Sequence, residues 1–174
     1  MTVDDTRVPD GTKHGGRVAV IGSFRQHIDA VRTAVSAFRE NGWTITSPPG
    51  GDLLEPNIEF VRFEDDNPDH DDCTVQTVAM HRILGADLIY VVAPDGYIGR
   101  TTCYEVGRAV QCDRAVYFSN RPLDLPLRVP DEAIVSASRL ALQAVTGLSK
   151  FSEWTDPTHT GWERDLIELR FRDL

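Results

Sequence analysis

The sequence contains little cysteine. Its three cysteines, Cys73, Cys103 and Cys112, form no CxxC pair, which excludes a paired-cysteine zinc motif and argues against a disulfide framework. We therefore expect free thiols in a reducing compartment and predict a cytoplasmic protein.

Long apolar runs are also missing. No stretch reaches the roughly 18 apolar residues that a membrane-spanning helix needs. The polar N-terminus, MTVDDTRVPDGTKHGG, has no apolar segment of the kind that a secretory signal carries. We interpret residues 1–16 as a disordered leader and expect no membrane partner.

Basic residues are outnumbered, because 18 Lys and Arg stand against 27 Asp and Glu and the net charge is −9. Non-specific binding of nucleic acids depends on clustered Lys and Arg, so we expect no nucleic-acid polymer as partner. A small anionic ligand needs only one local basic pocket and stays compatible with this balance. The 174 residues, 41% of them hydrophobic, suffice for one globular domain with a proper core.

Short apolar runs alternate with segments of helical spacing, such as the one that contains Ile28, Val31, Val35 and Phe38. The predicted strands are 17–21, 43–46, 58–63, 87–92 and 115–118, and the predicted helices are 26–41, 74–84, 101–111 and 131–146. This alternation predicts a parallel sheet covered on both faces. We expect an α/β, Rossmann-like (flavodoxin-like) three-layer sandwich with a mostly parallel five-stranded sheet. It would span residues 17–146, with 147–174 packed on it or on a partner subunit.

In such folds ligands bind at the carboxyl ends of the strands, and the first loop there is Gly22-Ser23-Phe24-Arg25. The amides that open the following helix, the Ser23 hydroxyl and Arg25 predict a site for a phosphate or a sugar hydroxyl. A tight turn with Ser23 as helix cap is the alternative. Phe24 can stack on a base or pack in the core.

The second loop lies in PDGYIGRTTCYEVGRA, which follows the apolar run LIYVV. Gly96 and Gly99 let the backbone approach a ligand closely, and Thr101 or Thr102 can cap the next helix. We expect Glu105 in the first turn of that helix, where the dipole lowers its pKa. An ionised carboxylate there can attack an electrophilic sugar carbon, although it can also serve only to satisfy the dipole.

The order of strand, Gly-Ser turn, helix, AD-LIYVV, glycine-rich turn and YEVGRA resembles the nucleoside 2-deoxyribosyltransferase-like superfamily over residues 17–118. That superfamily includes nucleoside 2′-deoxyribosyltransferases and nucleoside 5′-monophosphate N-glycosidases. In it, the glutamate of the last segment attacks C1′ of the pentose and expels the base. The resemblance implies this role for Glu105 and contacts of Gly22 and Ser23 with sugar or phosphate. It also implies a homodimer or higher homo-oligomer whose neighbouring subunit completes the pocket. We expect no metal or organic cofactor, because a carboxylate and proton transfer can carry this reaction.

The superfamily usually carries an aspartate about two turns before the AD strand, but this chain has QTVAMHR there. His81 is a candidate proton donor in its place, because histidine titrates near neutrality, or it is a histidine of the helix surface. Asp95 is the nearest alternative carboxylate. Asp87 matches a family position, or it begins the strand in a structural role.

The same loop is similar to the PGGxGTxxE signature of phosphoribohydrolases that release cytokinin bases, with Asp95 at a glycine position and a longer stretch after it. Both families cleave an N-glycosidic bond. We therefore predict cleavage or base exchange on a nucleoside or nucleoside 5′-monophosphate. The alternatives are such a phosphoribohydrolase and a nucleotide-sensing module without turnover.

Other side chains complete the predicted substrate site. Arg25 and Arg100 can bind a 5′-phosphate, Tyr97 can stack on a base, and Arg108 shares the helix face of Glu105, with which it can pair. The acidic run EDDNPDHDD lacks the glycine and terminal glutamate of a calcium loop and the paired ligands of a zinc site. We interpret that run as a solvated loop and predict no metal.

Overall fold

The computed structural model describes residues 15–50, 62–154 and 160–171. Four strands form one sheet with every neighbouring pair parallel, in the order β2-β1-β3-β4. Their bounds are Arg17–Gly22 (β1), Thr44–Ser47 (β2), Leu88–Val92 (β3) and Val116–Phe118 (β4). The predicted α/β class is confirmed, and the all-parallel sheet is consistent with a Rossmann-like fold. Residues 58–61 of the predicted fifth strand lie outside the described residues.

The helices follow from apolar stripes and from caps. Asp71 is the N-cap of the second helix, since its carboxylate accepts a hydrogen bond from the Thr74 amide at 2.7 Å. The bounds are Phe24–Glu40 (α1), Asp72–Leu84 (α2), Arg100–Gln111 (α3), Ala137–Leu140 (α4) and Thr160–Ile167 (α5). None of the helices in the described part of the chain is long and apolar enough to cross a membrane.

The core lies on both faces of the sheet. Ile21, Ile89 and Val91 point to one face and pack with residues of α2 and α3, while Val20 and Tyr90 point to the other and pack with α1. Alternate residues of a strand point to opposite faces, so a strand between two helix layers has to be apolar throughout, as the fully buried β3 is. Because β1 and β3 are neighbouring parallel strands, the loops that follow them emerge side by side at one edge of the sheet.

The predicted helix at 131–146 is wrong. The chain forms a 3₁₀ turn at Asp131–Ala133, the four-residue α4 and another 3₁₀ turn at Val145–Gly147. Between them Ile134 bridges Phe118 in parallel, and the Val135 amide donates to the Phe118 carbonyl at 2.9 Å. The Tyr90 hydroxyl also donates to the Val135 carbonyl at 3.0 Å. These contacts with the sheet hold the segment extended and override its helical spacing.

The C-terminal segment packs on the domain of its own chain wherever it is described. Phe151 is buried, and its amide donates to the Arg114 carbonyl. Trp154 meets Tyr117 edge to face at 5.2 Å between ring centroids, and Arg164 of α5 donates to the Ser152 carbonyl at 2.7 Å.

Candidate active site

A cavity of about 960 Å³ opens at the carboxyl ends of β1 and β2, beside the loop that follows β3. Its volume is in the range of small-molecule sites, roughly 300–1,000 Å³. The start of α1, one side of α2, the loop after β3 and the first two turns of α3 form its walls. It brings together ten of the predicted site residues: Gly22, Ser23, Phe24, Arg25, His81, Tyr97, Gly99, Arg100, Thr101 and Glu105.

Glu105 is a buried carboxyl on the wall of this cavity, with 8% of its surface exposed. Burial raises the pKa of Glu105 to about 7, and a hydrogen bond from Gln76 opposes that rise. The predicted lowering of its pKa is therefore wrong. Glu105 lies in the second turn of α3, since no acidic residue occupies the first, and the helix dipole acts mainly within the first turn.

Gln76 is a site residue that the sequence interpretation missed. Its Nε2 donates to Glu105 Oε1 at 3.0 Å. Gln76 begins the spacing i, i+4, i+7 with Met80 and Ile83, both of which are buried. A polar residue on a buried stripe needs a partner, so this spacing could have drawn attention to it. His81 lines the same cavity from an exposed position on α2, but the amide that holds Glu105 comes from Gln76.

Three predicted site residues lie off the cavity wall. Asp87 accepts the Arg17 amide at 2.8 Å, which joins the amino ends of β1 and β3 at the opposite edge of the sheet. Asp95 is exposed in the 3₁₀ turn Pro94–Gly96. Gly96 is buried, and a Cβ there would lie 2.5 Å from Leu123 Cγ. The structure thus brings none of the three to the cavity wall, and the substrate contacts of Asp87 and Gly96 and the catalytic role of Asp95 stay predictions.

Amides of the glycine-rich loop after β3 donate hydrogen bonds to a side chain of the protein itself. The Ile98 amide donates to Asp124 Oδ1 at 3.1 Å and the Gly99 amide to Asp124 Oδ2 at 2.9 Å. These two amides are therefore occupied by Asp124 and not free for a ligand. Gly99, with φ of 82°, is the N-cap of α3 and no side chain caps it, so neither Thr101 nor Thr102 has the predicted capping role.

Cationic side chains line the same cavity as Glu105. Arg108 donates to the Tyr104 hydroxyl at 2.8 Å, and its guanidinium lies 5.7 Å from the centre of the Tyr104 ring. The partner of Arg108 is therefore Tyr104, and not Glu105 as the sequence allowed. Arg25 and Arg100 line the cavity as well. An anionic group of a ligand would meet these guanidinium groups.

Aromatic rings flank the cavity on two sides. Phe24 and Phe63 meet edge to face with 5.4 Å between ring centroids, and Tyr97 meets the His27 ring at 6.1 Å. Phe24, Phe63 and Tyr97 all line the cavity. The sequence pattern gave no indication of Phe63, because its pairing with Phe24 is a tertiary contact.

The acidic run is more ordered than a solvated loop. The Asp66 side chain is 7% exposed and pairs with Arg82 at 3.4 Å, and its Oδ2 accepts the Phe63 amide at 2.9 Å. Asp66 and Asp72 also line the cavity. Within residues 15–50, 62–154 and 160–171, no group of three or more His, Cys, Asp or Glu side chains is placed to hold a metal ion.

Comparisons of the chain with protein-family models, with curated proteins and with solved structures gave no match. The chemistry of the cavity is then the basis for inferring function. A buried carboxyl that titrates near neutrality can act as a nucleophile when ionised and as a proton donor when protonated.

Proposed function

We propose that the protein cleaves the N-glycosidic bond of a nucleoside or nucleoside 5′-monophosphate, or exchanges its base, with Glu105 as nucleophile. The observation that carries this proposal is the buried Glu105 carboxyl, held by Gln76 on the wall of a cavity of nucleotide size. A perturbed carboxyl in a cleft is typical of a catalytic group. Burial of such a group costs folding free energy, which a purely structural residue would have no reason to retain.

The reaction would proceed in two balanced steps, as in retaining glycosidases. A carboxylate oxygen of Glu105 bonds to C1′ while the C1′–N bond breaks, and the electron pair of that bond moves to the base nitrogen. This nitrogen takes a proton from water or from His81. Water then attacks C1′, the bond from C1′ to the carboxylate breaks, and the water proton passes to solvent. A second base in place of water gives exchange.

The other side chains of the cavity have roles that suit such a substrate. Arg25 and Arg100 would bind a 5′-phosphate, and the Ser23 hydroxyl would bind the sugar. Phe24 and Tyr97 would contact the base, because an aromatic face stacks on any base. These residues line one cavity with Glu105, so a single nucleotide would reach them all.

A nucleotide sensor without turnover is the second candidate. The observation that favours it is Gln76, an amide that exchanges no proton, in the helix segment where the resembling superfamily carries an aspartate. A carboxyl whose pKa is about 7 is also partly protonated at neutral pH, which weakens it as a nucleophile.

Release of free base from purified protein separates the two candidates. We expect base release, followed by chromatography, from at least one member of the ribose and deoxyribose nucleosides and their monophosphates. Glu105→Ala should lower the rate about 10³-fold or more. Glu40→Gln is the matched control, because Glu40 is exposed at the end of α1. Thermal stabilisation by a nucleotide without base release would favour the sensor, and the absence of both effects would contradict both candidates.

A further inference from the structure

We infer that Gln76 is a positioning residue of the reaction: its side-chain amide holds Glu105 Oε1, so that Oε2 is the oxygen that attacks the sugar carbon. This inference rests on the proposed function of Glu105. It assigns to α2 a role that depends on a neutral amide and excludes Gln76 from proton transfer.

The contact joins two helices that the core fixes relative to each other. Gln76 lies on α2 and Glu105 on α3, which pack against each other. Met80 and Val106, on the same two helices, are buried in one cluster. Because well-packed helices restrict the rotamers of the side chains between them, the hydrogen bond of 3.0 Å between Gln76 Nε2 and Glu105 Oε1 restrains the carboxyl group.

An amide suits this position better than a charged side chain would. A hydrogen bond to the ionised form favours that form, whereas a second carboxylate would oppose it and a cation would form an ion pair that lowers nucleophilicity. Gln76 therefore promotes ionisation of a buried carboxyl without neutralising it. Burial raises the pKa of Glu105, and the hydrogen bond from Gln76 lowers it.

Other titratable groups surround the same cavity. On α2 and ahead of it these are Asp72, Cys73, His81 and the pair Arg82–Asp66, and on α1 Arg25. On α3 they are Arg100, Tyr104 and Arg108. Strand β4 brings no charged side chain to α3, and α5 meets α3 at Gln111, whose amide donates to the Leu166 carbonyl at 3.1 Å. The guanidinium groups would bind a substrate phosphate, which leaves Gln76 as the partner of Glu105.

In the covalent step, Oε2 of Glu105 bonds to C1′ as the C1′–N bond breaks. The electron pair of the C1′–N bond goes to the base nitrogen. Oε1 becomes the carbonyl oxygen of the glycosyl ester and still accepts from Gln76 Nε2. The proton for the base nitrogen comes from water or His81. When water hydrolyses the ester, the carboxylate returns to the same hydrogen bond.

The test measures the pKa of Glu105 directly, by ¹³C NMR of protein labelled at the glutamate carboxyl, with the signal assigned by its loss in Glu105→Gln. We expect Gln76→Leu and Gln76→Glu each to raise that pKa by about one unit or more, through loss of a hydrogen bond and through charge repulsion respectively. Gln143→Leu is the matched control, since Gln143 follows α4 at a site remote from the cavity wall. Gln76→Glu keeps the side-chain shape and serves if Gln76→Leu does not fold.

The kinetic arm separates positioning from mere stabilisation. In the unaltered protein we expect kcat/KM to rise with pH, with a midpoint near pH 7. In both Gln76 variants that midpoint should move to higher pH, and kcat/KM at neutral pH should therefore fall about tenfold. At high pH kcat should stay reduced in Gln76→Leu while KM changes little, because the carboxylate is ionised but no longer oriented. An unchanged pKa of Glu105 in both variants would overturn the role of Gln76. In that case base release by the unaltered protein would still uphold the proposed function. Shifted pKa values without any base release would uphold the contact between Gln76 and Glu105 but would sink the proposed function, and the positioning role with it.

Discussion

Glu105 combines an unfavourable burial with a useful chemistry. The residue is 8% exposed, and a buried carboxyl that has to ionise near neutrality lowers the free energy of unfolding. The residue itself could be found from sequence, because it follows a glycine-rich turn in the segment YEVGRA. Its protonation behaviour could not, since desolvation depends on the helices packed around it and not on its distance from the helix end.

The pH dependence of stability tests this burial. The pKa of Glu105 rises from 4.5 in the reference state to about 7 in the fold, so the folded protein binds more protons between these values. The stability contributed by the protonated carboxyl is complete below about pH 4.5 and is lost as pH rises through about 7. At pH 8 we expect Glu105→Gln to have a free energy of unfolding about 2–3 kcal/mol higher than that of the unaltered protein, measured by urea denaturation.

That difference should shrink toward zero at pH 4.5, because both side chains are then neutral. Glu40→Gln, at an exposed site, provides the baseline at each pH. Equal stability of the two proteins at pH 8 would show that Glu105 is not desolvated in the fold.

At the scale of elements, the loop between β3 and α3 depends on a residue far away in the chain. Asp124 accepts the amides of Ile98 and Gly99, which fixes the glycine turn that leads to α3. We expect Asp124→Ala to speed hydrogen exchange of both amides. The free energy of unfolding should fall by only about 1–2 kcal/mol, because Asp124 is exposed to solvent. KM should rise because Tyr97, Gly99 and Arg100 line the cavity.

Asp29→Ala is the matched control, because Asp29 is an exposed aspartate of α1 whose carboxylate lies 3.9 Å from the Arg32 guanidinium. Unchanged exchange at Ile98 and Gly99 in Asp124→Ala would contradict the role of Asp124 in shaping the loop.

The elements that were predicted correctly have their cause in nearby residues. The strands β1, β3 and β4 follow from short apolar runs, and α2 from its cap at Asp71. The failures have distant causes. Residues 131–146 meet the sheet at Phe118 and Tyr90, and the glycine loop gives its amides to Asp124. Single-sequence patterns report local preference and cannot show such contacts.

At the scale of the whole molecule, the C-terminal segment completes the core on which the cavity depends. Phe151 is 4% exposed and belongs to the cluster that contains Val106 of α3. We expect Phe151→Ala to lower the free energy of unfolding by about 3–5 kcal/mol, measured by urea denaturation. The loss should be the same at different protein concentrations, because Phe151 packs within its own chain. A loss that depends on concentration would instead place this segment in a subunit interface.

Covalent chemistry at Glu105 is the central claim, and trapping the glycosyl ester tests it most directly. A nucleoside with fluorine at C2′ slows both steps by destabilising an oxocarbenium-like transition state, and a good leaving base restores the first. After incubation and digestion, mass spectrometry should find the fluorinated sugar on the peptide that contains Glu105, with no adduct in Glu105→Gln. Base release by the unaltered protein that persists in Glu105→Gln, with no adduct on that peptide, would contradict the account.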